Sequence, residues 1–241
     1  IRETHLEEDP ARWNPQSGKI DYNRSGLPLI EIVTEPDFSN SEQVVSWLKN
    51  LILVLSYIKV IKKGAGIKVD VNVSTYGERA EIKNINSIEN IRKAIEYEIV
   101  RQLENYHGEK IVQKRETLTY DEKEGKTIKM RDKEGAMDYR FIPDPDLPTI
   151  NLDKKELIKM QKELPELPKE KLNKLIKKYE IDKKDAEILI QNLELVEFFE
   201  KLAEEKIDVK KNLSWITVEL LRILHYNKKS LADEEIEIFP E

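Results

Sequence analysis

Ile67-Lys68-Val69-Asp70-Val71-Asn72-Val73-Ser74 alternates apolar and polar residues without a break. That is the period of an extended strand with one face on a core and the other turned away from it. A turn at Tyr76-Gly77 leads into Arg79-Ala80-Glu81-Ile82-Lys83-Asn84-Ile85, the expected hairpin partner. If Thr75 pairs with Glu78 across a two-residue loop, Asn72 lies opposite Glu81 and Asp70 opposite Lys83. Four hydrogen-bonding side chains then share one sheet face, and a one-residue slip would scatter them. Such a face is either a row of cross-strand pairs that solubilises a surface or the floor of a cleft.

Helical periodicity flanks this hairpin. Ser41 caps an expected amphipathic helix carrying Val44, Val45, Leu48, Leu51, Ile52 and Leu55, and Ser87 caps another carrying Ile88, Ile91, Ala94, Ile95, Ile99 and Leu103, with Gly108 as its stop. Two further strands are expected at residues 111–120 and 126–131, joined by Asp121-Glu122-Lys123-Glu124-Gly125. Phe141-Ile142-Pro143-Asp144-Pro145-Asp146-Leu147-Pro148 then ends the mixed region, because closely spaced prolines sustain neither a helix nor an inner strand. Beyond it the spacing is helical: Leu157 with Met160 and Leu164, Leu172 with Leu175, Ile176 and Tyr179, Ala186 with Leu189, Ile190 and Leu193, then Phe198, Phe199 and Leu202, and finally residues 213–224. The expected fold is α+β: a mixed or antiparallel sheet cradle with covering helices over residues 1–151, followed by a small all-α domain over residues 152–241.

A chain of 241 residues with 39% hydrophobic and 37% charged residues can bury a proper core, in one large domain or two smaller ones. No segment approaches the roughly 20 apolar residues that span a bilayer, so no membrane association is expected. The chain opens on Ile1 with no basic stretch leading into an apolar one, and reads as starting inside a domain without a signal peptide. It has no Cys, which excludes thiolate catalysis and Cys-ligated zinc within the chain and fits a cytoplasmic setting. The net charge of -6 argues against coating nucleic acid by bulk electrostatics. Residues 153–184 nevertheless hold eleven Lys against seven Asp or Glu, either a solvated helix surface or a local basic face for a phosphate backbone.

The first forty residues hold the other chemical material. His5-Leu6-Glu7-Glu8-Asp9 is an acidic run, ordinarily a solvated loop, and alternatively ligands for Mg²⁺, which takes hard oxygen donors from one or two carboxylates plus phosphates. Glu31 interrupts the apolar strand Leu29-Ile30-Glu31-Ile32-Val33, either on a solvent face or pointed into a pocket. Between them, Asn23-Arg24-Ser25-Gly26 reads as a turn with Gly26 at positive φ, and it can also offer N–H groups and a guanidinium to phosphate oxygens. There is no P-loop or dinucleotide fingerprint. A Ser-His-Asp arrangement is also missing, so amide hydrolysis is not expected of this chain itself. Of the three His, only His5 lies beside candidate ligands.

The string Asp21-Tyr22-Asn23-Arg24-Ser25-Gly26-Leu27-Pro28-Leu29-Ile30-Glu31-Ile32, preceded by His5-Leu6-Glu7-Glu8-Asp9, resembles the B subunit of the tRNA-dependent amidotransferases. The resemblance continues through Val69-Asp70-Val71-Asn72-Val73-Ser74, Glu81-Ile82-Lys83-Asn84-Ile85-Asn86-Ser87, Tyr97-Glu98-Ile99 with Arg101-Gln102, Arg115-Glu116-Thr117 and Asp138-Tyr139-Arg140. It is similar to the related archaeal E subunit in the early motifs, but Pro148 runs into the helical region without that subunit's inserted domain, so the B subunit fits better.

The resemblance implies an ATP-dependent ligase subunit acting with Mg²⁺ on misacylated tRNA, aspartyl-tRNA(Asn) or glutamyl-tRNA(Gln). Its implied partners are an amidase (A) subunit that supplies ammonia and a small C subunit. By motif, Glu7 and Glu31 correspond to metal ligands. Asn23 and Arg24 are candidates for nucleotide binding, and Arg24, Asp70, Asn72, Lys83 and Arg140 for lining the cradle. The helical domain is implied to hold tRNA. The family's N-terminal part and C-terminal tail domain are expected to lie outside these residues, which leaves as a rival a tRNA-binding scaffold without catalytic activity.

Overall fold

The computed structural model describes residues 1–14, 17–61, 66–106, 115–130 and 151–231. The protein is α+β and divides into two compact units, Ile1–Val44 and Val45–Glu241. In the first unit, β1 (Glu3–Glu8) pairs antiparallel with β4 (Pro28–Val33), and the short β2 (Arg12–Trp13) pairs antiparallel with β3 (Ile20–Asp21). α1 (Ser41–Tyr57) starts at the end of this unit. Its cap is Asn40 rather than the expected Ser41: Asn40 Oδ1 accepts from the Gln43 N–H at 2.9 Å, and Gln43 Oε1 accepts from the Ser39 N–H at 2.9 Å. Asn is as good a cap as Ser, and here it comes one residue earlier.

The second unit is built on a four-stranded sheet in the order β5 (Val69–Val73), β6 (Ala80–Ile85), β7 (Glu116–Asp121) and β8 (Lys126–Lys129). β5–β6 and β7–β8 are antiparallel hairpins, whereas β6–β7 is parallel. A parallel pair needs a crossover, and α2 (Ile88–Glu104) supplies it, with Ser87 Oγ capping the Asn90 N–H as expected. The expected stop at Gly108 lies outside the described residues; α2 ends at Glu104 with Asn105 as its cap. Val71, Val73, Ala80, Ile82, Ile85 and Leu118 from the sheet and Ile91, Ala94 and Ile95 from α2 form the buried core here.

The β5–β6 connection is longer than a two-residue turn. The last pair is Val73 with Ala80, so residues 74–79 form the loop and Thr75 does not pair with Glu78. Thr75 instead gives both its N–H and its hydroxyl to Gln102 Oε1, at 2.8 and 3.0 Å. A side chain on the crossover helix thus replaces the tight turn.

Among the described residues five further helices follow: α3 (Lys154–Glu163), α4 (Pro168–Lys178), α5 (Lys183–Leu189), α6 (Leu193–Glu204) and, after a π-helical turn at Trp215–Leu220, α7 (Leu221–Tyr226). Asp153, Asp182 and Asn192 cap α3, α5 and α6 through their side chains. A second core gathers Leu175, Ile181, Ala186, Leu189, Leu195, Val196 and Phe199, with the Tyr179 ring edge-on to Phe199 at 5.4 Å. Lys171 and Lys174 bridge Glu166 and Glu200 and tie α4 to α6. α3 departs from expectation, because it has no buried residue and leaves Leu157, Met160 and Leu164 exposed. Among the described residues no helix is long and apolar enough to cross a membrane.

Candidate active site

The candidate residues fall into two groups, one in each unit. In the β1–β4 ladder His5 faces Glu31 and Glu7 faces Leu29. Alternation therefore puts His5, Glu7 and Glu31 on one face, with Glu7 diagonal to Glu31, while Glu8 and Leu6 turn to the other. Both Glu7 and Glu31 are exposed, and His5 lies 3.6 Å from Glu3. Two carboxylates on one face are a donor set suited to Mg²⁺, which retains waters and shares phosphate oxygens. Among the described residues no cluster of three or more His, Asp or Glu forms a ready-made metal cage. The set fits an ion that arrives with a phosphate better than one held by protein alone.

The turn behind this ladder is tied down by its own groups. Asp21 Oδ1 accepts from both the backbone N–H and Nδ2 of Asn23, at 3.0 and 2.6 Å. The N–H groups of Ser25, Gly26 and Leu27 go to the carbonyls of Tyr22, Asp9 and Arg24. Gly26 sits at φ +77° as the turn reading requires, a conformation that glycine adopts without strain. Four amides of the turn are thus already engaged, and what it presents outward is the Arg24 guanidinium. Arg24 Nη2 lies 2.6 Å from Asp9 Oδ2 while most of the side chain remains exposed. Asp9 is a partner that sequence reasoning did not assign; its signal was its place at the end of the acidic run.

In the second unit Asp70, Asn72, Glu81 and Lys83 do share one sheet face, as the alternation requires, and Asn72 pairs with Glu81. Asp70 meets more than Lys83. The register shifts between Val69 and Val71, so that Lys83 and Asn84 together oppose Asp70. Asn84 takes φ +63° in this bulge. Asp70 Oδ2 accepts from Lys83 Nζ at 2.8 Å, and Asp70 Oδ1 accepts from the Asn84 N–H at 2.9 Å. Lys83 Nζ also contacts Glu81. Partial burial would lower the Lys83 pKa, but its hydrogen bonds to Asp70 and Glu81 outweigh that and raise it. The result is a fixed ammonium between two carboxylates, bordered by the Asn72 amide. Arg140 lies outside the described residues.

Residues 1–158 match the family model described as the GatB/GatE catalytic domain. The chain belongs to this family. The B subunit of an aspartyl/glutamyl-tRNA(Asn/Gln) amidotransferase from Methanopyrus kandleri is 43% identical over 246 residues, covering 100% of this chain and 52% of the relative. The B subunits of the same description from Methanothermobacter thermautotrophicus and Methanocaldococcus jannaschii are 42% and 39% identical, each over 98% of this chain and 52% of the relative. This GatB/GatE chain therefore spans about half the length of the curated relatives it matches.

The motifs of this GatB/GatE chain include Glu98, Arg101, Gln102 and Glu116, to which sequence reasoning gave no place. The structure puts Glu98 and Gln102 in the interior under the sheet. Their signal was legible: positions 91, 95, 98 and 102 continue the apolar stripe of α2, yet the last two are polar.

Proposed function

We propose that this chain forms part of an ATP- and Mg²⁺-dependent site that activates the side-chain carboxylate of misacylated aspartyl-tRNA(Asn) or glutamyl-tRNA(Gln) for amidation. The relatives' shared description as the B subunit of an amidotransferase supports the reaction class. The single structural observation that carries the reading is the Lys83 ammonium held between Asp70 and Glu81 on an open sheet face. Phosphoryl transfer needs little covalent chemistry from protein; it needs positioned donors and charge neutralisation.

In this reading the γ-phosphoryl of ATP passes to a carboxylate oxygen of the aminoacyl group, giving an acyl phosphate and ADP. Ammonia then attacks the acyl carbon, phosphate leaves with the C–O bond, and a proton is lost to give the amide. In the second unit Lys83 offers a cation to phosphate oxygens, Asn72 orients a polar group beside it, and Asp70 and Glu81 hold the Lys83 ammonium in place; in the first unit Arg24 offers a cation of its own. Asn23 with Arg24 borders the nucleotide, and Arg140, outside the described residues, keeps its role by motif resemblance alone. Glu7 and Glu31 would hold Mg²⁺, which neutralises phosphate charge when bound.

An amidase (A) subunit supplies the ammonia and a small C subunit is a further partner, in the cytoplasm. Residues 1–151 serve as the cradle, and residues 152–241 contact tRNA by shape and backbone charge. Lys171 and Lys174 are consumed internally, whereas the other Lys of residues 153–184 are exposed.

Glu31→Ala in the full-length protein, assembled with its partner subunits, tests this. ATP-dependent amidation should be lost and tRNA affinity retained within about two-fold. Amidation that survives would refute the metal assignment, and a wild type that binds tRNA without amidating it would establish the scaffold reading instead.

A further inference from the structure

Glu98 is completely buried beneath the sheet, and three side chains donate hydrogen bonds to its carboxylate. Arg101 donates from Nε to Oε2 at 2.9 Å and from Nη2 to Oε1 at 2.7 Å. Gln102 Nε2 donates to Oε1 at 2.7 Å, and Thr127 Oγ1 donates to Oε2 at 3.0 Å. Each partner then reaches a different strand. Gln102 Nε2 also donates to the Val73 carbonyl at 3.1 Å, and its Oε1 accepts both donors of Thr75. Arg101 Nη2 donates to Glu116 Oε2 at 2.9 Å, and Thr127 belongs to β8.

The attachments to β5 and β7 fall along one row of the sheet, and Thr127, which pairs with Tyr120, adds β8 four residues further along β7. Val73 pairs with Ala80, and Ala80 pairs with Glu116, so the network grips β5 and β7 on either side of β6 at the same level. Asn72 and Glu81 lie one row further in, on the opposite face. A buried ion pair is a poor device for stability alone, since well-packed apolar side chains of the same volume do as well or better. Its advantage is directional: each bond has one geometry, and a carboxylate with every acceptor filled holds three strands in a single register. An apolar residue at position 98 would pack against α2's neighbours without fixing where residues 73 and 75 sit.

We infer that Glu98, Arg101 and Gln102 are positioning residues, which act from beneath the sheet to set the height and register of Asp70, Asn72, Glu81 and Lys83; their effect on catalysis rests on the function proposed above. Gln102 is the most direct of them, because it alone carries the grip into the β5–β6 loop.

The test is Gln102→Leu, which keeps the shape and removes the amide, with Gln102→Glu as a second variant in the full-length assembled protein. Hydrogen exchange is the first readout. Amides of residues 69–75 and 80–85 should exchange at least about ten-fold faster in Gln102→Leu, with the helical content and the second core unchanged. Exchange at wild-type rates would overturn the inference whatever the activity shows. Turnover is the second: kcat for ATP-dependent amidation should fall about ten-fold or more while KM for tRNA stays within two-fold.

Gln102→Glu supplies a signature that a merely structural role would not move. Its carboxyl, beside Glu98, can donate only when protonated, so kcat should recover as pH falls from about 8 to 5.5, opposite to any acid loss in the wild type. A Gln102→Glu profile parallel to wild type also overturns the inference. A wild type without ATP-dependent amidation would sink the functional reading alone, and the exchange measurement would still decide the positioning role.

Discussion

Asp70→Asn separates chemistry from stability on the sheet face. Asn keeps the shape and an acceptor for the Asn84 N–H, now 2.9 Å from Asp70 Oδ1, and removes the charge opposite Lys83. The side chains of Asp70 and Lys83 are 40% and 34% exposed, so their ion pair is partly screened and contributes on the order of 0.2–1 kcal/mol. Lys83 also retains Glu81. The melting temperature should therefore fall by only about 1–3 °C for a chain of this size. Asp70→Ala also orphans the Asn84 N–H and should cost about 1 kcal/mol more. Amidation should respond very differently. Lys83 without Asp70 is free to swing toward Glu81, and loss of one positioned charge from a phosphoryl-transfer site costs on the order of 10²-fold in kcat. Thermal melts and single-turnover amidation on the same preparations measure both. Asp70→Asn turning over within two-fold of wild type would refute the assignment. Loss of more than about 3 kcal/mol of stability would show instead that the pair is a fold element.

Two further outcomes concern the helical part. Phe199→Ala empties a fully buried position under the Tyr179 ring and should cost about 3–5 kcal/mol in denaturant unfolding; a loss under about 1 kcal/mol would mean that the second core does not centre there. Burial works to raise the Glu200 carboxyl, but hydrogen bonds from Lys171 and Lys174 outweigh it and hold Glu200 below the usual range. Its contribution is present above the unfolded value of about 4.3 and is lost as pH falls through the lowered folded value. Lys171 and Lys174 are raised, so their side of the cluster is lost only as pH rises above about 10.4. Glu200→Gln should therefore flatten the acid limb of a stability profile and leave its slope between about pH 6 and 9 unchanged. An unchanged acid limb would show that the cluster does not link α4 to α6 energetically.

Period-two alternation was enough to read the β5 strand and the polar face that Asp70 shares with Asn72, because both follow from local geometry. The α+β class followed from the switch between that period and helical spacing. The bulge was also written in the chain: Ala80 and Ile82 keep the alternation, and the next buried residue is Ile85 rather than Asn84. That break in spacing is what a register shift looks like before folding. The parallel β6–β7 pairing was not legible, since nothing local to residues 116–121 reports which strand they will join across a helix. Nor was the exposure of α3, whose apolar spacing is as regular as that of its neighbours. In the first forty residues the pairing of Glu31 with His5 depends on the β1–β4 ladder, which single residues cannot announce. Only motif resemblance gave those acids a common role.

The bulge at Asn84 has a consequence for how the chain tolerates length changes. A hairpin one residue shorter, with Asn84 deleted, could still pair Val71 with Ile82 and bring Ile85 opposite Val69, presenting the same apolar side chains to α2 in a regular ladder. The scaffold has no need of the extra residue. What it adds is a backbone N–H aimed at the second oxygen of Asp70, fixing both lobes of one carboxylate. Deleting residue 84 should therefore leave the ladder intact and remove the N–H that holds Asp70 Oδ1.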